Sequence, residues 1–229
     1  MNNQDMYPHI WLVIGPLGLT DTVITTWIIM LVLMCCVWLI NRLSGIRAGP
    51  AQTSAELLLV AIEDTIEAVA PGHVRQLLPF IGSLWIFLVV SNLAGLIPGV
   101  HSPTRDLSAT SALAVLVFLA SHWYGIRSSG LKNYLRHYLL PSPILLPFHI
   151  ISELTRTIAL AVRLFGNIMS LEMAAMLILL VAGFLAPIPI LMLHVIEALV
   201  QAYIFGMLAL VYIAGGLQAQ QLRFEKHEE

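Results

Sequence analysis

The sequence predicts an all-α membrane protein with one N-terminal span, an amphipathic surface helix, a two-helix hairpin and two long, strongly tilted membrane helices. Three observations lead there. Of 229 residues, 59% are hydrophobic and 10% charged, with a mean hydropathy of +0.87; about a quarter of the residues of a soluble domain are charged. The apolar residues run in blocks long enough to cross a hydrocarbon core. Basic residues gather at the ends of those blocks, as the positive-inside rule describes. The whole chain, residues 1–229, reads as a single membrane domain.

Residues 1–20 mix Pro8, Gly15, Pro16 and Gly18 with Tyr7 and Trp11, which suits an outer, interfacial lead-in with turns. No basic n-region or small-residue cleavage site accompanies the first apolar run, so it is expected to stay as an anchor. Residues 22–41 form the first span, closed by Arg42 and Arg47; these arginines place its end in the cytoplasm and the N-terminus outside. Cys35 and Cys36 are neighbours inside that span, where vicinal geometry argues against a disulfide, and they read as packing residues.

Residues 54–70 combine an apolar stripe with Glu56, Glu63, Asp64 and Glu67, and Ser54 offers a helix cap. Four acids disfavour spanning, so this segment is expected to lie along the cytoplasmic surface or on the bundle. Residues 77–126 form the hairpin, its spans separated by a loop with Pro98, Gly99 and Pro103. Arg127, Lys132 and Arg136 end its second span on the cytoplasmic side, while the outer loop holds Arg105. Eight of the eleven basic residues fall on the predicted inside.

Residues 141–222 hold two long apolar stretches joined near Ala186, Pro187 and Pro189. About 35 helical residues reach roughly 50 Å against a core of about 30 Å, so both are expected to tilt strongly as an antiparallel pair. The C-terminal RFEKHEE then returns to the cytoplasm.

Within the first of these stretches lie Glu153, Arg156, Arg163 and Glu172. A charge at bilayer depth costs roughly 2.5 kcal/mol or more and usually faces protein or water on a pathway. Glu153 reaches Arg156 at i+3, a structural charge pair. Arg163 has Ala159, Leu160, Gly166 and Asn167 as its same-face neighbours, so its own helix offers no carboxylate. An arginine keeps its charge under almost any burial, and the partner of Arg163 must come from elsewhere. Glu172 lies nine residues on, about 180° around the helix. In the second stretch His194, Glu197 and Gln201 form a polar stripe at i, i+3 and i+7, and Glu172 with His194 and Glu197 is expected to line a water-filled path. H-x-x-E supplies two ligands without a third, so no metal site is expected. Nor does the sequence call for a cofactor. The net charge of −2 gives no reason to expect nucleic acid.

The motifs VRLFGN at 162–167, QAYIF at 201–205 with LVY at 210–212, and NLAGLIPG at 92–99 followed by SPTRDLSAT at 102–110 occur in this order. With them the chain resembles subunit a, the stator ion channel of F-type rotary ATP synthases. The resemblance implies that Arg163 faces a ring of c subunits, keeps the rotor carboxylate ionised and separates two half-channels. It implies that Asn167 and Gln201 flank that arginine, and that Glu172 and His194, with Glu197 beside them, give ion access from the outer side. A c-subunit ring, a b-type peripheral stalk and membrane lipid are the implied partners. H⁺ is the expected ion and Na⁺ the alternative. Two departures stand out: Thr157 follows Arg156 where relatives usually have proline, and Leu171 precedes Glu172 where many have a small residue. The chain carries no Walker-type glycine loop, so it is not expected to be catalytic alone. A stand-alone secondary ion transporter is the alternative, disfavoured by the absence of inverted repeats and paired broken helices.

Overall fold

The computed structural model describes residues 10–14, 17–44, 50–97, 100, 102–130, 146–182 and 188–228. Arg47, Lys132, Arg136, residues 141–145 and the link at 183–187 lie outside them. Among the described residues five helices are long and apolar enough to cross a membrane, in keeping with the all-α membrane class.

Part of the lead-in is strand. A short antiparallel hairpin pairs β1 (Ile10–Ile14) with β2 (Leu17–Thr20) in the register Leu12↔Leu19, Val13↔Gly18 and Ile14↔Leu17. That lead-in, expected as an interfacial segment with turns, gave no sign of the pairing because the two runs are too short to show alternation. Helix α1 (Asp21–Ser44) follows. Trp27, Met30, Met34, Val37 and Trp38 are exposed along it and Ile29 is buried, so α1 is a peripheral span that buries little of its surface within the chain. Cys35 and Cys36 are exposed on it, which removes them from any packing role inside the chain. At the end of the span the Arg42 guanidinium lies over the Trp38 ring, 5.1 Å from its centroid, a contact suited to a membrane interface.

Helix α2 (Pro50–Val69) begins four residues before the expected start. It turns Ile62 and Ile66 into the core while its acids stay outside. It stops at Gly72, whose φ of 76° needs glycine and whose N–H donates to the Glu67 carboxylate at 3.2 Å. Helices α3 (Val74–Ala94) and α4 (Leu107–Ser129) are the hairpin. Between them is a single 3₁₀ turn, Pro103–Arg105. Asp106 caps α4, accepting from Ser108 N–H at 2.9 Å, and its other oxygen accepts from Thr22 Oγ1 at 2.9 Å. The start of α1 and the start of α4 are therefore at the same end of the bundle.

The long helices are α5 (Leu146–Ala182, 37 residues) and α6 (Ile188–Glu228, 41 residues), each about 55 Å or more at 1.5 Å per residue. The core sits where α3, α4, α5 and α6 meet. Leu77, Ile81, Leu84, Trp85 and Leu88 on α3 follow helical spacing, as do Leu160, Leu164 and Ile168 on α5 and Ala202, Phe205, Ala209 and Ile213 on α6. In lipid such packing rests on close contact rather than on escape from water, so small residues matter. Gly206 shows it: a Cβ there would lie inside the indole of Trp85, which presses flat on α6 and stacks parallel to Tyr203 with centroids 6.1 Å apart. An apolar groove of about 380 Å³ between α2, α3 and α6, lined by Leu58, Ile62, Trp85 and Val89 among others, carries no charged residue.

Candidate functional site

The polar residues of α5 and α6 fall into three levels along the bundle. At the first, Glu153 and Arg156 form their expected pair, Arg156 Nη1 to Glu153 Oε1 at 3.4 Å. Arg156 also lies over the Tyr212 ring of α6, 5.2 Å from its centroid. These groups line a small crevice with Ser121 and Thr157, against the later half of α4.

Seven residues further, about 10 Å along the axis, is Arg163. It is exposed, and among the described residues it makes no ion pair or hydrogen bond. The buried stripe of α5 runs through Leu160, Leu164, Ile168 and Leu171, which turns residue 163 outward. A Cβ at Gly166, one turn on, would meet nothing within 4 Å, so the surface next to Arg163 is bare. Behind it Asn167 Nδ2 donates to Gln201 Oε1 at 2.7 Å, joining α5 to α6. Gln201 is 1% exposed, and its amide nitrogen is buried without a partner.

At the third level Glu172, expected to line a path with His194 and Glu197, also pairs with Arg105 of the 3₁₀ turn, Arg105 Nη1 to Glu172 Oε2 at 3.1 Å. The reason is the antiparallel run of α4 and α5: the C-terminal half of α5 meets the turn at the start of α4. No hydrogen bond joins Glu172 to His194 among the described residues. His194 is 2% exposed and Glu197 half-buried; among the described residues His194 Nε2, itself buried, has no partner and Glu197 makes no polar contact. Around the turn, Ser102 Oγ donates to the Ser91 carbonyl at 2.8 Å and Thr104 Oγ1 to Asn92 Oδ1 at 2.8 Å. Asn92 Nδ2 donates across to the Ala198 carbonyl of α6 at 3.1 Å.

Arg105 and this Ser–Asn–Thr network escaped the sequence reading, which took residue 105 for a loop charge. One signal was available. The same-face neighbours of Glu172 are Ile168, Met169, Ala175 and Met176, so it too lacks a cation on its own helix, and the outer loop held one. Among the described residues no cluster of three or more His, Cys, Asp or Glu side chains is placed to hold a metal.

Fold and site define a multi-pass helical membrane protein whose fifth helix carries, between two polar groups, an arginine without a partner among the described residues. Its relatives say which. The profile of the family described as ATP synthase A chain matches residues 23–214. ATP synthase subunit a 1 of Hahella chejuensis is 62% identical over 216 residues, covering 94% of this chain and 92% of that protein. Subunit a 2 of Pelobacter propionicus is 58% identical over 216 residues, covering 94% and 95%. Subunit a of Legionella pneumophila (strain Paris) is 53% identical over 224 residues, covering 97% of each. The chain belongs to this family, subunit a of the F-type ATP synthase, a membrane-sector subunit that is not catalytic alone.

Proposed function

We propose that this chain carries the coupling ion to and from a ring of c subunits through two offset half-channels, with Arg163 between them. One observation carries the reading. Arg163 stands exposed and, among the described residues, unpaired, with the Glu153–Arg156–Tyr212 group about 10 Å to one side and Glu172 about 13 Å to the other along α5. The two groups lie toward opposite ends of the bundle, one beside the later half of α4 and one beside its start.

A fixed cation in a medium of low dielectric favours the ionised form of a carboxylate that approaches it. A rotor carboxylate passing Arg163 therefore releases its ion on one side and reloads on the other, while the guanidinium keeps ions from crossing directly. Asn167 and Gln201, joined by their hydrogen bond, support the helix surface behind Arg163. Glu172, His194 and Glu197 serve the outer path.

A b-type peripheral stalk holds the subunit against the turning rotor. Arg42 and Arg127, at the ends of α1 and α4, mark the cytoplasmic side of a bacterial inner membrane. The N-terminus then lies outside and the C-terminus inside. H⁺ is the ion this reading assigns, with Na⁺ tested beside it.

The experiment is ATP-driven ion pumping by inverted vesicles carrying the complex with Arg163→Ala. Pumping is expected to vanish while assembled complex persists on immunoblots. Pumping at half the wild-type rate or better would refute the reading.

A further inference from the structure

Glu172 has an unusual setting. Its side chain is 10% exposed; one oxygen is held by Arg105 and the other, Oε1, is buried with no hydrogen-bond partner. A Cβ at Gly95 would stand 3.0 Å from that same Oε1 and 3.2 Å from Cβ of Ser102. A side chain at residue 95 would crowd the carboxylate. The turn that presents Arg105 is fixed from below by the buried Ser102 and Thr104 hydroxyls, 2.6 Å apart, which donate to the Ser91 carbonyl and the Asn92 side-chain oxygen; all four residues are 3% exposed or less. Asp106, bonded to Thr22 of α1, fixes it from the other side. A buried network of this kind holds one geometry, because each member left unbonded would be costly.

We infer that Arg105 is the positioning residue of the outer access path: it clamps one oxygen of Glu172 in a cradle floored by Gly95, so that the second oxygen is offered to the incoming cation. The inference rests on the reading of the chain as an ion-translocating subunit. The ligand class is a proton donor such as hydronium, or a hydrated alkali cation. The charged and titratable groups of the adjoining elements are Arg105 and Asp106 at the turn, and His194 and Glu197 on α6. The positive charge of Arg105 offsets the carboxylate, so a cation binds there loosely enough to move on. Without it, the buried carboxylate holds the cation tightly and passes it slowly.

The test is ATP synthesis by inverted vesicles carrying the whole complex, at a fixed membrane potential, with lumenal pH and lumenal Na⁺ varied separately. For Arg105→Gln the half-saturating ion concentration is expected to fall about tenfold or more, the effect of losing an adjacent opposite charge, and the maximum rate to fall with it. Arg105→Lys, which keeps the charge, is expected to hold half-saturation within about twofold of wild type. Gly95→Ala, which crowds Oε1 without changing any charge, is expected to lower the maximum rate. Wild-type kinetics for Arg105→Gln in assembled complex would overturn the inference. Should that variant fail to assemble, wild-type kinetics for Gly95→Ala would overturn it instead. Arg163→Ala in the same vesicles separates the two readings. If it abolishes synthesis while the Arg105 and Gly95 variants are neutral, only the role of Arg105 falls; if synthesis survives it, the translocation reading itself falls.

Discussion

Replacing Gly206 by alanine adds one methyl group where Trp85 of α3 lies against α6. That methyl would occupy the space of the Trp85 ring, overlapping Nε1 and Cδ1. Trp85 is 7% exposed, stacks on Tyr203 and donates its indole N–H to the Tyr203 carbonyl at 3.4 Å. The ring cannot shift outward without giving up those contacts, and helix backbone surrounds it on the α6 side. Overpacking a well-packed site costs about 1–3 kcal/mol; losing the indole from its place altogether would approach the roughly 3–5 kcal/mol of a Trp→Ala change. The expected loss is therefore about 2–3 kcal/mol, several degrees in a thermal midpoint at about 2–4 °C per kcal/mol for a chain of this length. Thermal dissociation of the purified complex in detergent, read as retention of this subunit, measures it. Gly206→Ala combined with Trp85→Leu should cost less than the sum of the single changes, because the smaller side chain makes room for the methyl. A Gly206→Ala complex that melts with wild type would refute the reasoning.

The remaining outcomes use the same melt. Asn92→Leu removes an amide that bonds both Thr104 and the Ala198 carbonyl. It leaves a buried hydroxyl short of a partner, and is expected to cost about 2 kcal/mol; a neutral result would remove the network as a tie between the turn and α6. Asp106→Ala deletes the cap of α4 and the link to Thr22, with an expected cost of about 1–2 kcal/mol; Asp106→Asn should recover most of it, and equal losses for both would argue against capping.

Much of the architecture was legible because lipid imposes a simple rule. A chain with no water to bond must close its backbone bonds within each span, so apolar run length and basic flanks located α1, α3, α4, α5 and α6. The strand hairpin at 10–20 was not legible, since two runs of five and four residues carry too little pattern. The exposed placement of Cys35 and Cys36 also depended on which side of α1 meets the bundle, and apolar composition all round a helix does not encode a side.

The site divides along the same line. Arg163 and the Glu153–Arg156 pair were readable from one helix, because i+3 and i+4 spacing decides what a side chain can reach locally. The partner of Glu172 was not, because Arg105 is 67 positions away in the chain and the pair exists only once α4 and α5 lie antiparallel. By itself the sequence determined the helices, their crossings and the charges that have no local partner. Which of those charges finds a partner inside the chain, as Glu172 does, and which is left facing outward, as Arg163 is, only the tertiary structure decided, since helix rotation and the buried turn at 103–105 set those distances.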